Sequence, residues 1–261
     1  MVNMMPARAE NTWKVTYPED CIKYIEAFRR HYWDHQGTCK LLHEFFSQQG
    51  NVHSVCELGS GAGTNLIYLD DYGYQCFGYD SNQESIVLSQ RRAESNEKNI
   101  EFNLLDFSKN LPNCQFNAVV SLFVPISLED MEKLAQSCLQ ILKPGGYFAC
   151  MLLAVLPEFE AIPEHNVTNT EFLEVDGTSV IRFNYYKKSG DQIQYDGVYF
   201  AGESQGPRMF QDRDRYDLLT KEQMLKIADT GYRHIYRTRI QGKPDQCPPM
   251  TYEVIDFFQK N

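Results

Sequence analysis

The stretch His53–Asn65, HSVCELGSGAGTN, constrains this chain more than any other. A short apolar run ends in Glu57 and gives way to a loop carrying Gly59, Gly61 and Gly63, with a helical stretch, Asn65 to Tyr72, behind it. Strand, glycine-rich loop and helix form the opening unit of an open α/β sheet, whose ligands lie beyond the carboxyl ends of the strands. Glycines keep such a turn tight, admit a ligand against the main chain and leave the first helix N–H groups free to face an acceptor.

The chain repeats this unit. Gln75 to Tyr79 reads as a strand closing on Asp80, 23 residues after Glu57 (80 − 57), and Asn82 to Ser95 as a helix. A carboxylate at that strand end can accept from both hydroxyls of a ribose; the alternative is that Asp80 or Ser81 caps the following helix. Ile100 to Leu105 is a third strand, closing on Asp106 and Phe107. Phe116 to Phe123 is an apolar central strand with Ser121, Leu122 and Phe123 at its carboxyl end. A helix over Leu128 to Leu142, capped by Ser127, stops at Lys143-Pro144-Gly145-Gly146, and Tyr147 to Val155 is a fifth strand. Five β units with helices between them predict a doubly wound sheet.

The acidic-x-Gly-x-Gly-x-Gly order of Glu57 to Gly63, with acids at the next two strand ends, resembles class I S-adenosylmethionine-dependent methyltransferases. The rival pattern, Gly-x-Gly-x-x-Gly of dinucleotide sites, fails because Thr64 holds the place of its last glycine. The resemblance covers residues 53–155 by motif and 215–261 by pattern. It implies S-adenosylmethionine as cofactor, bound by Glu57, Gly59, Ser60, Gly61 and Gly63 of the loop, with Glu57 near its methionine part, by Asp80 at the ribose, and by Ser81. Asp106 would take the adenine amino group, Phe107 a main-chain contact, and Leu122 and Phe123 apolar contact. It also implies a Rossmann-like seven-stranded sheet with an antiparallel last strand, formed by two closing strands at Tyr232–Ile240 and Tyr252–Phe258.

Around that core the expected parts are a helical lid over 1–50, the cofactor core over 51–156, a β-rich cap over 157–219 and the end of the core sheet over 220–261. In the lid, Glu19–Trp33 and Cys39–Phe46 read as helices separated by Gly37, with Tyr24, Tyr32 and Trp33 as residues that close over the cofactor. In the cap, Glu171–Val175, Ser179–Lys187 and Gln192–Ala201 alternate around turn residues and read as an antiparallel meander. Thr220 is the expected cap of a helix reaching Asp229, and a proline-rich loop spans Gly242–Pro249. The candidate general bases are His31, His35, His165, Tyr185, Tyr186, Tyr216 and Asp217, none singled out by a motif.

A balance of 25 Lys and Arg against 35 Asp and Glu gives a net charge of −10, which disfavours nucleic acid as substrate. No Asn/Asp-Pro-Pro box of amide methylation stands at SLFVP, residues 121–125. The eight cysteines lack metal spacing and read as reduced core thiols, so no metal site is expected. The longest apolar run, Tyr147–Leu156, is too short to span a bilayer, and the residues before Glu10 show no leader pattern. The sequence therefore predicts a cytoplasmic enzyme methylating N or O of a small molecule, of aminosugar or secondary-metabolite type, and compatible with a homodimer. A protein or RNA acceptor on the same fold, or a cofactor-binding partner without turnover, are the alternatives.

Overall fold

The computed structural model describes residues 21–107, 109–124, 128–155, 160–162, 164–218, 221–240 and 251–261. Two helices come first, α1 (Ile22–Tyr32) and α2 (His35–Gln49). The core then alternates β1 (Ser54–Leu58), α3 (Thr64–Asp71), β2 (Gln75–Asp80), α4 (Gln83–Ser95), β3 (Glu101–Leu104), β4 (Phe116–Ser121), α5 (Leu128–Ile141) and β5 (Leu142–Val155). Four long strands follow: β6 (Glu164–Val175), β7 (Thr178–Ser189), β8 (Gln192–Glu203) and β9 (Gly206–Asp217). Last come α6 (Lys221–Asp229), β10 (Tyr232–Arg239) and β11 (Thr251–Lys260).

Seven strands form one sheet in the order β10-β11-β5-β4-β1-β2-β3. Strands β1 to β5 pair in parallel, and β11 lies antiparallel between β5 and β10. The chain winds outward from β1 to β3, then crosses to β4 on the other side of β1. The strand order therefore reverses between β1 and β4, the place where an open α/β sheet leaves a crevice. In register, Glu57 stands beside Gly78 of β2 and Val120 of β4, so three strand tips border that crevice.

All five residues of β1 are buried, as a strand covered on both faces requires. One face of the sheet packs Leu42, Phe45 and Phe46 of α2 with Leu66 and Leu69 of α3 and Ile86 of α4. The other takes Met131, Leu134, Ala135 and Cys138 of α5 and Ile227 of α6. Six of the seven described cysteines are buried, and all seven are free.

Three expectations need correction. The break between the first two helices falls at Trp33 and Asp34, and Gly37 lies inside α2. Asp34 caps α2 by accepting from Gly37 N–H at 2.9 Å, and the missing side chain at Gly37 leaves room for that carboxylate. The turn at 143–146 is carried inside β5 as an irregularity, because the register jumps from Phe116↔Leu142 to Ala118↔Tyr147. The cap is a four-stranded antiparallel sheet, β6-β7-β8-β9, not three strands. β6 starts seven residues before Glu171, and β9 is wholly additional. The expected caps Ser127 and Thr220, and the loop 242–249, lie outside the described residues. No described helix is long and apolar enough to cross a membrane.

Helix α1 packs Cys21, Tyr24, Ile25 and Phe28 against Val175, Val180, Tyr199, Ala201 and Phe210 of the cap. The cap sheet thus buries its apolar end under the helix that precedes the core.

Gly78 is tightly enclosed: a Cβ there would collide with the Phe102 ring and lie 2.9 Å from Leu66 Cδ1. Gly78→Ala should therefore destabilise the fold by about 1–3 kcal/mol in urea unfolding. A loss below about 0.5 kcal/mol would mean that the β2–α3 spacing is not set by this contact.

Candidate active site

The glycine loop is tied to the neighbouring strand before it turns into α3. Gly59 and Ser60 both donate their N–H to Tyr79 O, at 2.8 and 3.0 Å, and Gly63 N–H donates to Ser60 O at 2.9 Å. Gly63 has φ +72°, and a Cβ there would come within 2.5 Å of the Phe102 ring, so this glycine serves packing and turn together. Gly61, at φ +51°, faces a side chain from another element: its Cβ would sit 3.5 Å from Glu26 Oε1. Arg92 of α4 props the far side of the loop, donating to Ala62 O and Thr64 Oγ1, both at 2.7 Å.

At the tip of β1, Glu57 is completely buried. Asn65, in the first turn of α3, donates to its Oε1 at 2.6 Å, and Asn65 Oδ1 pairs with His35 Nδ1 at 2.7 Å. The amide oxygen only accepts, so His35 carries its proton on Nδ1 and presents Nε2 as an acceptor. Burial lowers the proton affinity of His35 and keeps the ring neutral. Burial also pushes the Glu57 carboxyl up to about 8, despite the bond from Asn65. Glu57 Oε2, His35 Nε2, Ser60 Oγ and Ser121 Oγ are buried with no hydrogen-bond partner among the described residues. Buried polar atoms of this kind are costly, and four of them at one strand switch mark a place built to meet a ligand.

Asp80, at the tip of β2, accepts from Gly61 N–H through Oδ2 at 2.9 Å and from Asn82 N–H through Oδ1 at 2.8 Å. Burial raises its proton affinity against these two bonds. Each carboxylate oxygen still has a lone pair for a further donor. The cap of α4 is Asn82, which accepts from Ser85 N–H at 2.8 Å, and neither Asp80 nor the exposed Ser81. Leu105 N–H donates to Asp80 O at 2.8 Å, which brings Asp106 to the neighbouring tip. The Asp106 carboxylate pairs with Lys109 at 2.7 Å, and Phe107 packs on the core under α5.

Above the crevice, the Trp33 ring stacks on Phe123 at 4.4 Å and 12°, with His35 against the same ring at 4.8 Å. Phe123 has φ +56°, a left-handed conformation that is costly outside glycine and tends to occur at functional sites. Leu122 beneath it is buried. The α1–α2 corner is thereby clamped to the end of β4. Tyr24 turns the other way: its hydroxyl donates to Glu203 at 2.8 Å and its ring stacks on Phe210 of the cap. The Tyr32 side chain lies outside the described residues.

The candidate bases scatter. His35 is in the crevice, whereas His31 is exposed at the end of α1. His165 and Tyr216 sit at opposite ends of one cross-strand row of the cap, His165–Lys188–Ile193–Tyr216, and Tyr186 is in the next row. Tyr185 is on the opposite face, where it donates to Asn166 at 3.2 Å, and Asp217 accepts from Gln192 at 2.8 Å. Sequence reasoning missed Glu26, Asn65 and Arg92. Glu26 is buried beside Arg29, at 2.9 Å. The one signal for it was an acid between Ile25 and Phe28 on an otherwise apolar face.

Residues 56–150 match the family model described as a methyltransferase domain. No curated protein matches the chain. Among solved structures, an S-adenosylmethionine-dependent methyltransferase from Clostridium acetobutylicum ATCC 824 superposes with TM-score 0.73 at 14% identity, over 92% of this chain and 98% of that one. The sugar N-methyltransferase KedS8 from Streptoalloteichus sp ATCC 53650 gives 0.71 at 15%, over 98% and 97%. CalS10, an amino pentose methyltransferase from Micromonospora echinaspora, gives 0.68 at 15%, over 91% and 96%. At these identities the likeness is one of fold.

The raised proton affinity of Glu57 makes stability depend on pH. Between its ordinary 4.5 and the folded value of about 8, the folded chain holds a proton that the unfolded chain has lost. Stability from this group is therefore full below pH 4.5 and falls as pH rises through 8, by on the order of 3–5 kcal/mol. Urea unfolding across that range should show the fall in the wild type and lose most of it in Glu57→Gln. Equal slopes in the two proteins would contradict the assignment.

Proposed function

We propose that this chain, a class I methyltransferase by its sheet order and by its family match over 56–150, methylates N or O of a small molecule using S-adenosylmethionine. When bound, that cofactor supplies an electrophilic methyl group on a positively charged sulfur. The residues present fit it: the Glu57 carboxyl, whose proton a cationic ligand would displace, the glycine bend and the lone pairs left on Asp80 form an acceptor-rich cradle for a cationic, hydroxyl-bearing ligand. The observation that carries the reading is the juxtaposition of Glu57 and Asp80 across Gly61 at the strand switch.

In this reading Asp80 receives the ribose hydroxyls, with Ser81 beside it, and Asp106 and Phe107 meet the adenine. Leu122 and Phe123 supply apolar contact, and Glu57, Gly59, Ser60, Gly61 and Gly63 hold the methionine end. Glu26 adds a second carboxylate against the loop, which favours the cofactor's positive charges. Trp33 on Phe123 excludes water from the reacting atoms. Tyr24 supports the lid from the cap side and does not face the loop. Positioning and water exclusion are the chain's main contributions. The parts are 1–50 as lid, 51–156 as cofactor core, 157–219 as cap over the acceptor and 220–261 as the closing core strands. Likeness to KedS8 and CalS10 favours an amine-bearing sugar as acceptor over protein or RNA. The buried free thiols suit a reducing compartment such as the cytoplasm.

A homodimer is the second part of the proposal. Phe172, Ile181, Phe200 and Met209 form one exposed row across all four cap strands, with Phe183 packed edge-on against Phe200 at 5.8 Å. A row of this kind on a flat antiparallel face is self-complementary under a two-fold axis.

Calorimetric titration tests the cofactor reading. Asp80→Ala should weaken S-adenosylmethionine by on the order of 1.5–3 kcal/mol, roughly 10- to 150-fold, in a folded protein. Unchanged affinity would reject the ribose role. For the dimer, light scattering should give twice the chain mass for the wild type and a single chain for Phe200→Asp. A monomeric wild type would end that part.

A further inference from the structure

Besides the crevice atoms and Thr38 Oγ1 of α2, two buried oxygens, both in the cap, lack a hydrogen-bond partner among the described residues: Asn169 Oδ1 and Asp212 Oδ1. They stand at opposite ends of one cross-strand row, Asn169–Asn184–Gly197–Asp212, which crosses the whole cap. The next row on the same face is Val167–Tyr186–Tyr195–Asp214. Asp212 is 5% exposed and Asp214 6%, so two carboxyls lie buried side by side.

The polar groups around them are engaged with one another. Asn184 donates to Glu171 at 2.8 Å and accepts from the Tyr195 hydroxyl at 3.0 Å, whose ring end occupies the space that Gly197 leaves open. Arg182 is ion-paired with Glu171 and lies 4.6 Å from the Phe28 ring. Asn169 Oδ1 accepts, and Asp212 Oδ1 accepts once its carboxyl is ionised. A cation with several N–H donors answers both.

The row adjoins the crevice through α1. Phe28 meets Tyr199 edge-on at 5.7 Å on the cap side, while Glu26 of the same helix faces Gly61. Arg29 of α1 acts electrostatically on both Asp80 and Asp212, so one helix charge is felt at the crevice and at the cap row.

We propose that Asp212, with Asp214 beside it, is the specificity residue of the acceptor pocket and accepts a hydrogen bond from the ammonium of an amine-bearing acceptor. This rests on the methyl-transfer reading and narrows it to amines. The Tyr195 and Tyr199 hydroxyls meet at 3.4 Å, and the Tyr199 ring is held by Phe210 and Arg182, so the polar end of the row is fixed in place. Burial, and then the Asp214 charge, raise the proton affinity of Asp212 well above the ordinary carboxyl range, so arrival of a cation is what holds it ionised. Arg29, Arg182 and the Arg213 N–H offset part of that charge and burial still outweighs them; a neutral alcohol adds one donor and no charge.

The test needs no cofactor. Thermal unfolding of the full chain is followed with an amino pentoside and with the pentoside bearing hydroxyl in place of the amine. The amine should raise the wild-type midpoint and the hydroxyl analogue should not. Asp212→Asn should lose the response to the amine, melt no lower than the wild type and keep its S-adenosylmethionine affinity. Equal stabilisation of wild type and Asp212→Asn by the amine, no effect of the amine on the wild type, or a midpoint lowered by several degrees in Asp212→Asn each overturns the proposal. An amine response without S-adenosylmethionine binding supports this site and defeats the methyl-transfer reading.

Discussion

A carboxyl group buried at the tip of the first strand is held by one amide, and that amide by one imidazole. The bonds from Asn65 to Glu57 and from His35 to Asn65 join β1, α3 and α2 at a single point. A buried carboxyl without such a partner costs several kcal/mol. The energy that brings these elements together is apolar, from Leu42 and Phe46 of α2 against Leu66 and Leu69 of α3. The polar chain fixes how they meet. Among the described residues it also leaves one oxygen of Glu57 and one nitrogen of His35 unanswered, and those are the atoms a ligand can use.

Helix α1 gives the molecule its second organising surface. Its apolar side carries Tyr24, Ile25 and Phe28 into the cap, while Glu26 and Arg29 face the glycine loop and the aromatic clamp. Trp33 then closes on Phe123, whose left-handed backbone points the ring back over the crevice. One short helix thus borders both proposed pockets, and a change in its tilt is felt by cofactor and acceptor together.

The core was legible in the sequence because its signals are local. A five-residue buried strand, three glycines in seven residues and acids at successive strand ends need no tertiary knowledge. What escaped depends on contacts between distant segments. Gly37 reads as a helix breaker, yet it is the space needed by the Asp34 cap. Asn65 reads as an ordinary helix residue until His35, 30 positions earlier, is placed against it. Strand β9, GPRMFQDRDRYD, hides because its buried positions include Asp212 and Asp214, so the period-two apolar pattern is absent. The residues that blur the strand signal are the ones the acceptor site uses, as expected where function overrides folding economy.

A crystal structure of the chain with S-adenosylhomocysteine tests the account most directly. Both ribose hydroxyls should lie at about 2.7–3.2 Å from the Asp80 carboxylate, with the product's ammonium against Glu57 and the bend at Gly61. A ribose bound by other residues, or a product seated away from the β1–β4 switch, would contradict it.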